Sequence, residues 1–247
     1  MMRLKYYSGI FILILFVLAG CTARETTKEK EVKKEVKPVV VPPKILSFDM
    51  RERTYAKLNG IKSIDKVRFD YDPNGKLITK GKVSSINYDR DGFLTKTVIY
   101  GKNSDTNDVY TYKYDDKGER TATIRSGTNG EIKNTFTYDY DKNGNKIKSV
   151  RYGLDNKMEK FYRYNYDNDG NLTEDKWFDK TGKTEYKIIN EYFQDGKKKG
   201  SHTYGENGDL ISSYKYKYDD KGNIIEEDQY DEKGNPVGII QYVYIYY

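Results

Sequence analysis

Residues 162–170 read Tyr-Arg-Tyr-Asn-Tyr-Asp-Asn-Asp-Gly, an alternating aromatic segment that runs directly into a turn signal. Successive side chains of a β-strand point to opposite faces, so Tyr162, Tyr164 and Tyr166 would share one face. Aspartate followed by two polar residues and glycine is typical of a type I turn that closes a hairpin through a glycine bulge. The stretch therefore predicts a strand with one aromatic face that enters a tight hairpin.

This pattern recurs every 26 residues along the chain. One tyrosine series has no gap: Tyr88, Tyr114, Tyr140, Tyr166, Tyr192, Tyr218 and Tyr244. The turn glycines alternate in steps of 12 and 14 residues, at Gly118, Gly130, Gly144, Gly170, Gly182, Gly196, Gly208, Gly222 and Gly234. Asn156 stands where the series requires a glycine, and asparagine tolerates the left-handed conformation better than most residues. Each unit is therefore predicted to hold two strands and two turns.

The fold class that follows is all-β. We expect an antiparallel up-and-down meander of tandem β-hairpin repeats that forms an extended, twisted or curled single sheet. Residues 45–247 would form this domain, with 45–87 as an irregular N-terminal cap, because the glycine spacing there is uneven. The last strand, 237–247, would be an exposed C-terminal edge. No sustained helical period is found in the array.

The N-terminus carries a targeting signal. Arg3 and Lys5 precede an apolar run, 10–19, that is too short to span a bilayer, so 1–20 is predicted to be a signal peptide. Residues 18–21 read Leu-Ala-Gly-Cys and resemble the bacterial lipobox, which implies cleavage before Cys21 and its lipidation. A plain signal anchor with a chance cysteine is the alternative. Residues 21–44 would then be a charged, proline-containing tether.

The resemblance to lipoproteins implies a position in a bacterial cell envelope. Thr22, rather than an aspartate, follows the cysteine, which favours the outer membrane if the cell has two membranes. Whether the protein faces the periplasm or the cell surface stays open. Removing Arg3 and Lys5 lowers the net charge from +6 to +4, and most of that excess lies in the tether. The repeat domain is nearly neutral, so we predict no nucleic-acid partner.

The repeat unit itself is similar to a known one. Residues 164–173 read Tyr-Asn-Tyr-Asp-Asn-Asp-Gly-Asn-Leu-Thr and resemble the YD repeat of the Rhs and teneurin families. Residues 114–118, 140–144 and 218–222 match the same core as far as the glycine, and the resemblance covers about residues 67–240. It implies a spiralling sheet of hairpins that forms a shell. This chain has too few repeats for us to expect an enclosed cavity, so the encapsulating function is not carried over.

The sequence offers two chemical alternatives, a calcium site and catalysis by a histidine. Residues 70–75 and 139–144 match the start of an EF-hand calcium loop, but Gly81 and Val150 occupy the twelfth position, where such a loop needs glutamate. Turn formation explains the same aspartates, so no metal or cofactor is predicted. His202 is the sole histidine and no catalytic set converges on it in the sequence, so no enzymatic activity and no catalytic residue are predicted.

The predicted function is that of a membrane-anchored lipoprotein whose tyrosine-rich sheet is a non-catalytic binding or structural surface for protein or glycan. Tyrosine offers a large contact area at a low entropic cost. The candidate binding face consists of Tyr112, Tyr138, Tyr164, Tyr216, Tyr242 and Trp177. Trp177 either anchors a partner or packs beside the tyrosine columns. The alternative function is an envelope calcium-binding or hydrolytic module, which a cleft around His202 with carboxylates in reach would favour.

Overall fold

A computed structural model describes residues 46–101 and 105–247. The predictions for the signal peptide, Cys21 and the tether fall outside these residues. The described chain has one helix followed by 14 strands. Their bounds are α1 (Phe48–Leu58), β1 (Ile61–Tyr71), β2 (Leu77–Tyr88), β3 (Leu94–Tyr100), β4 (Thr106–Tyr114), β5 (Arg120–Ser126), β6 (Ile132–Tyr140), β7 (Lys146–Tyr152), β8 (Met158–Tyr166), β9 (Leu172–Asp179), β10 (Thr184–Tyr192), β11 (Lys198–Gly205), β12 (Leu210–Tyr218), β13 (Ile224–Asp231) and β14 (Pro236–Tyr246).

The antiparallel meander is confirmed, but the open sheet is wrong. Each strand pairs with its neighbours in sequence, and β1 also pairs with β14, so the sheet closes into a barrel. The register places Lys66 opposite Tyr242 and Arg68 opposite Ile240. Closure satisfies the backbone groups of β14, so the predicted exposed edge strand is also wrong. The expectation that the repeats are too few to enclose a cavity fails for the same reason.

Bulges beside the turns account for the curvature that closes the sheet. In the hairpins from β2 to β14 the register shifts by one residue close to the turn, as between Lys113 and Tyr114 where β4 meets β5. An extra residue of this kind bends the strand and increases its twist. Because the bulge recurs at every hairpin of the repeat, the bends add around the sheet and bring β14 back to β1.

The turns have the predicted chemistry. In the turn after β6, Asp141 Oδ1 accepts hydrogen bonds from the amides of Asn143 at 2.8 Å and Asn145 at 2.9 Å. Gly144 closes that turn with a φ of 75°. Asn156, which replaces a glycine in the series, is the one non-glycine with positive φ in the described part of the chain, at 57°. The glycine rule read from the sequence is thus confirmed.

The predicted cap, residues 45–87, contains helix α1 and most of strands β1 and β2, whose pairing shifts register twice. Ser47 caps the helix, and its hydroxyl accepts from the amide of Met50. Residues 48–58 form a helix of 11 residues, so the prediction that 45–247 is all-β is wrong for this segment. No helix in residues 46–101 and 105–247 has the length and apolar character needed to cross a membrane.

Helix α1 lies across one end of the barrel. Arg51 donates to Asn171 Oδ1 at 3.2 Å, Tyr55 donates to Asn223 Oδ1 at 2.5 Å, and Lys57 pairs with Asp91 at 2.8 Å. These partners belong to turns that follow β8, β12 and β2, which stand far apart around the ring of 14 strands. We call the end that carries these turns the capped end. A small buried cluster of Ala56, Ile61 and Tyr88 seals the helix against the wall.

The aromatic face of each hairpin points into the barrel. In β4, Tyr110, Tyr112 and Tyr114 are partly buried, whereas Thr111 and Lys113 between them are exposed. The same alternation recurs in β6, β8 and β12. The prediction of one aromatic and one polar face is confirmed, and barrel closure makes the aromatic face the lining of the lumen.

The contact between α1 and the turn after β2 yields a first test. An added methyl group at Gly92, whose φ is 79°, would lie 2.8 Å from the Lys57 amide nitrogen. Gly130 has a φ of 80° and no atom within 4 Å, so it is a matched control for backbone strain alone. We expect Gly130→Ala to cost about 1–2 kcal/mol of unfolding free energy. Gly92→Ala should cost about 1–3 kcal/mol more, because the helix must move. Urea unfolding of both variants measures the difference, and equal losses would refute the docking of α1.

Candidate functional site

The lumen is lined by two layers of tyrosines with different hydrogen-bond partners. In the layer nearest the capped end, each phenol donates to the backbone carbonyl 20 residues earlier, at 2.7–2.9 Å. The residues are Tyr114, Tyr140, Tyr166, Tyr192 and Tyr218. These bonds tie neighbouring hairpins together and leave the rings facing inward.

The second layer, called here the inner layer, contains the five tyrosines of the candidate binding face. Each phenol bonds to the side chain 15 residues earlier, on the preceding strand. The pairs are Tyr112 with Thr97 at 2.8 Å, Tyr138 with Thr123 at 2.6 Å, Tyr164 with Ser149 at 2.8 Å, Tyr216 with Ser201 at 3.3 Å, and Tyr242 with Glu227 at 3.1 Å. The structure therefore brings these five residues together, but inside the barrel rather than on a displayed surface.

The inner layer is interrupted at one position. The 26-residue series requires a tyrosine at position 190, and the chain has Asn190, whose expected partner is Asp175. Asn190 Nδ2 donates instead to the Leu172 carbonyl at 2.8 Å. Asn190 Oδ1 and Asp175 Oδ1 are both buried and form no hydrogen bond. A buried acceptor without a partner is costly, so this position differs in kind from the five intact pairs.

Trp177 lies two residues beyond Asp175 on β9 and also faces the lumen. Its indole packs edge-on against Tyr162 at 5.4 Å and against Tyr186 at 5.8 Å between ring centres. The indole N–H has no hydrogen-bond partner. Trp177 therefore packs within the aromatic lining, and its role as an anchor for a partner stays a prediction.

Basic side chains stand over the inner tyrosine rings. The Nζ atoms of Lys66, Lys146 and Lys198 lie 4.5, 4.6 and 4.8 Å from the ring centres of Tyr242, Tyr164 and Tyr216, respectively. Arg120 covers Tyr112 at 4.8 Å. Within the described residues, none of the three lysines forms a salt bridge. Cation–π contacts take the place of ion pairs here.

Burial shifts the ionisation of these groups. Burial lowers the pKa of Lys66, and it lowers the pKa of Lys198 to about 8. Burial raises the pKa of the Asp175 carboxyl to about 6, against the opposing effects of Trp177, Lys146 and Lys198. Burial likewise raises the pKa of Glu52, which α1 places among the charges of the lumen. The deep lumen therefore carries weakly neutralised charges of both signs.

A cavity of about 410 Å³ occupies the lumen on the side of β4 to β9. Its wall combines aromatic rings with hydroxyl and charged groups. The main members are Tyr112, Phe136, Tyr138, Tyr162, Tyr164, Trp177, Arg120, Lys146 and Asp175. Its size falls within the range of small-ligand sites, and a few polar groups converge on it.

The residues of the calcium hypothesis and of the hydrolytic hypothesis lie in different surroundings. The turn aspartates of the calcium hypothesis use their carboxylates within the turn, as when Asp141 Oδ2 accepts from Asn145 Nδ2 at 3.1 Å. His202 lies on the outer face, where Nε2 is 3.5 Å from Glu191 Oε1 above a shallow groove. Ser213 stands opposite His202 on the next strand, but in the described chain no hydrogen bond joins them. The groove thus holds a carboxylate near the histidine without an assembled nucleophile.

The chain matches no protein-family model and no curated protein. Among solved structures it is similar to a porin-like protein from Bacteroides uniformis, with a TM-score of 0.43 and 10% identity over 75% of this chain and 96% of that chain. A porin-like protein from Bacteroides vulgatus gives 0.41 and 13% over 75% and 98%. A LolA superfamily protein from Nitrosomonas europaea gives 0.32 and 9% over 79% and 90%. Likenesses of this size carry no inference about function.

The assignment to the YD-repeat families is wrong. No family model supports it, and the structural neighbours named above are porin-like and LolA superfamily proteins. The resemblance implied a spiralling sheet of hairpins that forms a shell, whereas the 14 strands close into a barrel. The tyrosine–aspartate–glycine pattern reflects the chemistry of a tight hairpin turn, which unrelated hairpin sheets can share.

The raised pKa of Asp175 gives a second test. A carboxyl that holds its proton to about pH 6 in the folded state, but releases it near pH 4 when unfolded, loses stability as pH rises between these values. The Asp175→Asn variant lacks this loss. We therefore expect its stability relative to the wild type to increase by about 2–3 kcal/mol from pH 4 to pH 6.5. Urea unfolding at both pH values measures this, and a constant difference would mean that Asp175 ionises normally.

Proposed function

We propose that this protein is a ligand-binding lipoprotein of the bacterial envelope that takes a short glycan into the lumen of its barrel. The observation that carries the proposal is the cavity of about 410 Å³ lined by aromatic rings and polar groups. The candidate residues read from the sequence are kept, but they line an interior wall rather than an exposed sheet. A folded protein partner could not reach the inner layer, which favours the glycan over the protein.

The lining suits a sugar better than an acyl chain. Sugar rings present C–H faces that pack on aromatic rings, and their hydroxyl groups both donate and accept hydrogen bonds. Burial raises the pKa of Tyr112 to about 12, so this phenol stays a neutral donor and acceptor at physiological pH. An acyl chain would bury Lys146, Asp175 and Arg120 without replacing their contacts with water, which is costly.

We further propose that the barrel stands in water and is held to the membrane by lipid on Cys21. Outward-facing positions of the strands include Lys113, Arg163 and Lys215, and charges on a lipid-facing barrel surface cost about 2–4 kcal/mol each near the bilayer centre. A tether between the lipid and the barrel would allow the protein to be attached to the membrane while its charged outer surface stays in water. No catalytic step is proposed, because the lumen has no nucleophile and base in contact among the described residues.

Glycan binding in the lumen can be tested with neighbouring residues of β6. Phe136 lines the cavity, whereas Thr137 faces outward and is exposed. A panel of neutral trisaccharides built from glucose, galactose, mannose or N-acetylglucosamine is titrated calorimetrically, with Trp177 fluorescence as a second signal. We expect Phe136→Ala to weaken binding about tenfold through the loss of ring contact, and Thr137→Ala to leave it unchanged. Circular dichroism verifies that both variants are folded. Absence of binding to every sugar in the panel would refute the proposal.

Lipidation is tested separately. Labelled palmitate should be incorporated into the wild type and into the control Thr22→Ser, but not into Cys21→Ser, because the thioether and the acylated amine both depend on this cysteine. Gel fluorography of the protein isolated from expressing cells measures the label. Equal labelling of Cys21→Ser, or an unlabelled wild type that retains residues 1–20, would instead indicate a plain signal anchor.

A further inference from the structure

We infer that the interruption of the inner tyrosine layer at Asn190 is the site where one sugar residue is held, through two adjacent hydroxyl groups. This inference rests on the proposed function and locates it. The contacts that support it come from a single repeat, in which three positions of the lining differ from their counterparts: Asp175, Trp177 and Asn190.

The missing ring leaves two buried acceptors unpaired. In the other five pairs a phenol extends from one strand to the side chain on the preceding strand. Asn190 is too short to do so and is only 8% exposed, with its Nδ2 held by the Leu172 carbonyl. Its Oδ1 and Asp175 Oδ1 are therefore two buried acceptors that face the place of an absent phenol. Two neighbouring hydroxyl donors would satisfy both.

The surrounding groups complete the chemistry of a sugar site. The Trp177 N–H is directed at the Asp175 carboxyl closely enough to lower its pKa, without a well-formed hydrogen bond. Lys146 and Lys198 occupy the positions equivalent to Leu172 in the preceding and following repeats, so ammonium donors flank the gap on both sides. Leu172 itself, in place of a cation, offers an apolar contact for C–H groups. Donors, acceptors and an apolar side chain together match a hydroxyl-rich ring.

The carboxylate of Asp175 selects against acidic sugars. Lys146 and Lys198 lie further off, over the rings of Tyr164 and Tyr216, whereas a ligand carboxylate in the place of the absent phenol would face Asp175 directly. A like charge at short range disfavours binding in a site shielded from water. The inference therefore commits to a neutral sugar with a vicinal diol, and an acidic sugar of the same length is the informative comparison.

The sharpest test restores the repeat. Asn190→Tyr places a phenol where the other repeats have one, within reach of Asp175, as Tyr242 reaches Glu227. We expect the variant to be at least as stable as the wild type and to bind the trisaccharide selected from the neutral panel at least tenfold more weakly. Asn165→Tyr, which adds the same ring to the exposed face of β8, is the matched control and should bind normally.

The outcomes separate the two proposals. If the wild type binds no neutral sugar, the proposed function fails, and this inference with it. If the wild type and Asn190→Tyr bind equally well, the glycan function stands and the site at Asn190 is refuted. Tighter binding of trigalacturonate than of the neutral sugar would refute recognition by Asp175. Should Asn190→Tyr fail to fold, Asn190→Leu, which removes the acceptor at similar size, is expected to show the same loss of binding.

Discussion

The pairing of β1 with β14 is the constraint on which the rest of the structure depends. Without it, the aromatic face of the hairpins would be one side of an open sheet, exposed to any partner. With it, the same residues become an interior, and the register that puts Lys66 opposite Tyr242 completes the ring of cation-covered tyrosines. The closing pair also removes the free edges that a sheet of tandem hairpins would otherwise leave at both ends. Closure therefore both pairs the edge strands and encloses the aromatic face, which limits access to it.

The interior that closure creates is held together by hydrogen bonds more than by an aliphatic core. The cluster of buried hydrophobic residues is confined to the contact between α1 and the capped end, around Ala56, Ile61 and Tyr88. Elsewhere the tyrosine layers fix neighbouring hairpins through their phenols, each bond adding about 0.5–1.5 kcal/mol when its partners are satisfied. Such an interior is rigid where each phenol has its partner. Where a phenol is missing, acceptors are left without a hydrogen bond. Helix α1 seals one end, which makes the lumen a blind cavity on that side.

Local features of this fold could be predicted from sequence because they depend on local chemistry. Period-2 alternation identified the strands, and the glycine series identified the turns, even where Asn156 replaced the glycine. Closure could not be predicted in the same way, because a hairpin in an open sheet and one in a barrel have the same alternation. Only the sum of small bends over 14 strands decides between them. Helix α1 was missed because it is short and precedes the repeats, and its stability comes from turns distant in sequence.

The candidate site shows how a strict repeat can be used to find function. The five tyrosines of the candidate face were selected for what the repeats share, and all five prove to be the paired, structural members of the inner layer. The informative signal was the departure from the repeat at Asn190, between Tyr164 and Tyr216 in the series. It gains meaning from the pairing of β9 with β10, which brings Asp175 onto the neighbouring strand. A repeat that only stabilised the barrel would have no reason to lose a phenol and leave two buried acceptors unpaired, since restoring tyrosine would remove that cost. The persistence of the unsatisfied pair, beside the one tryptophan of the chain, is what a ligand that supplies the missing hydroxyls would explain.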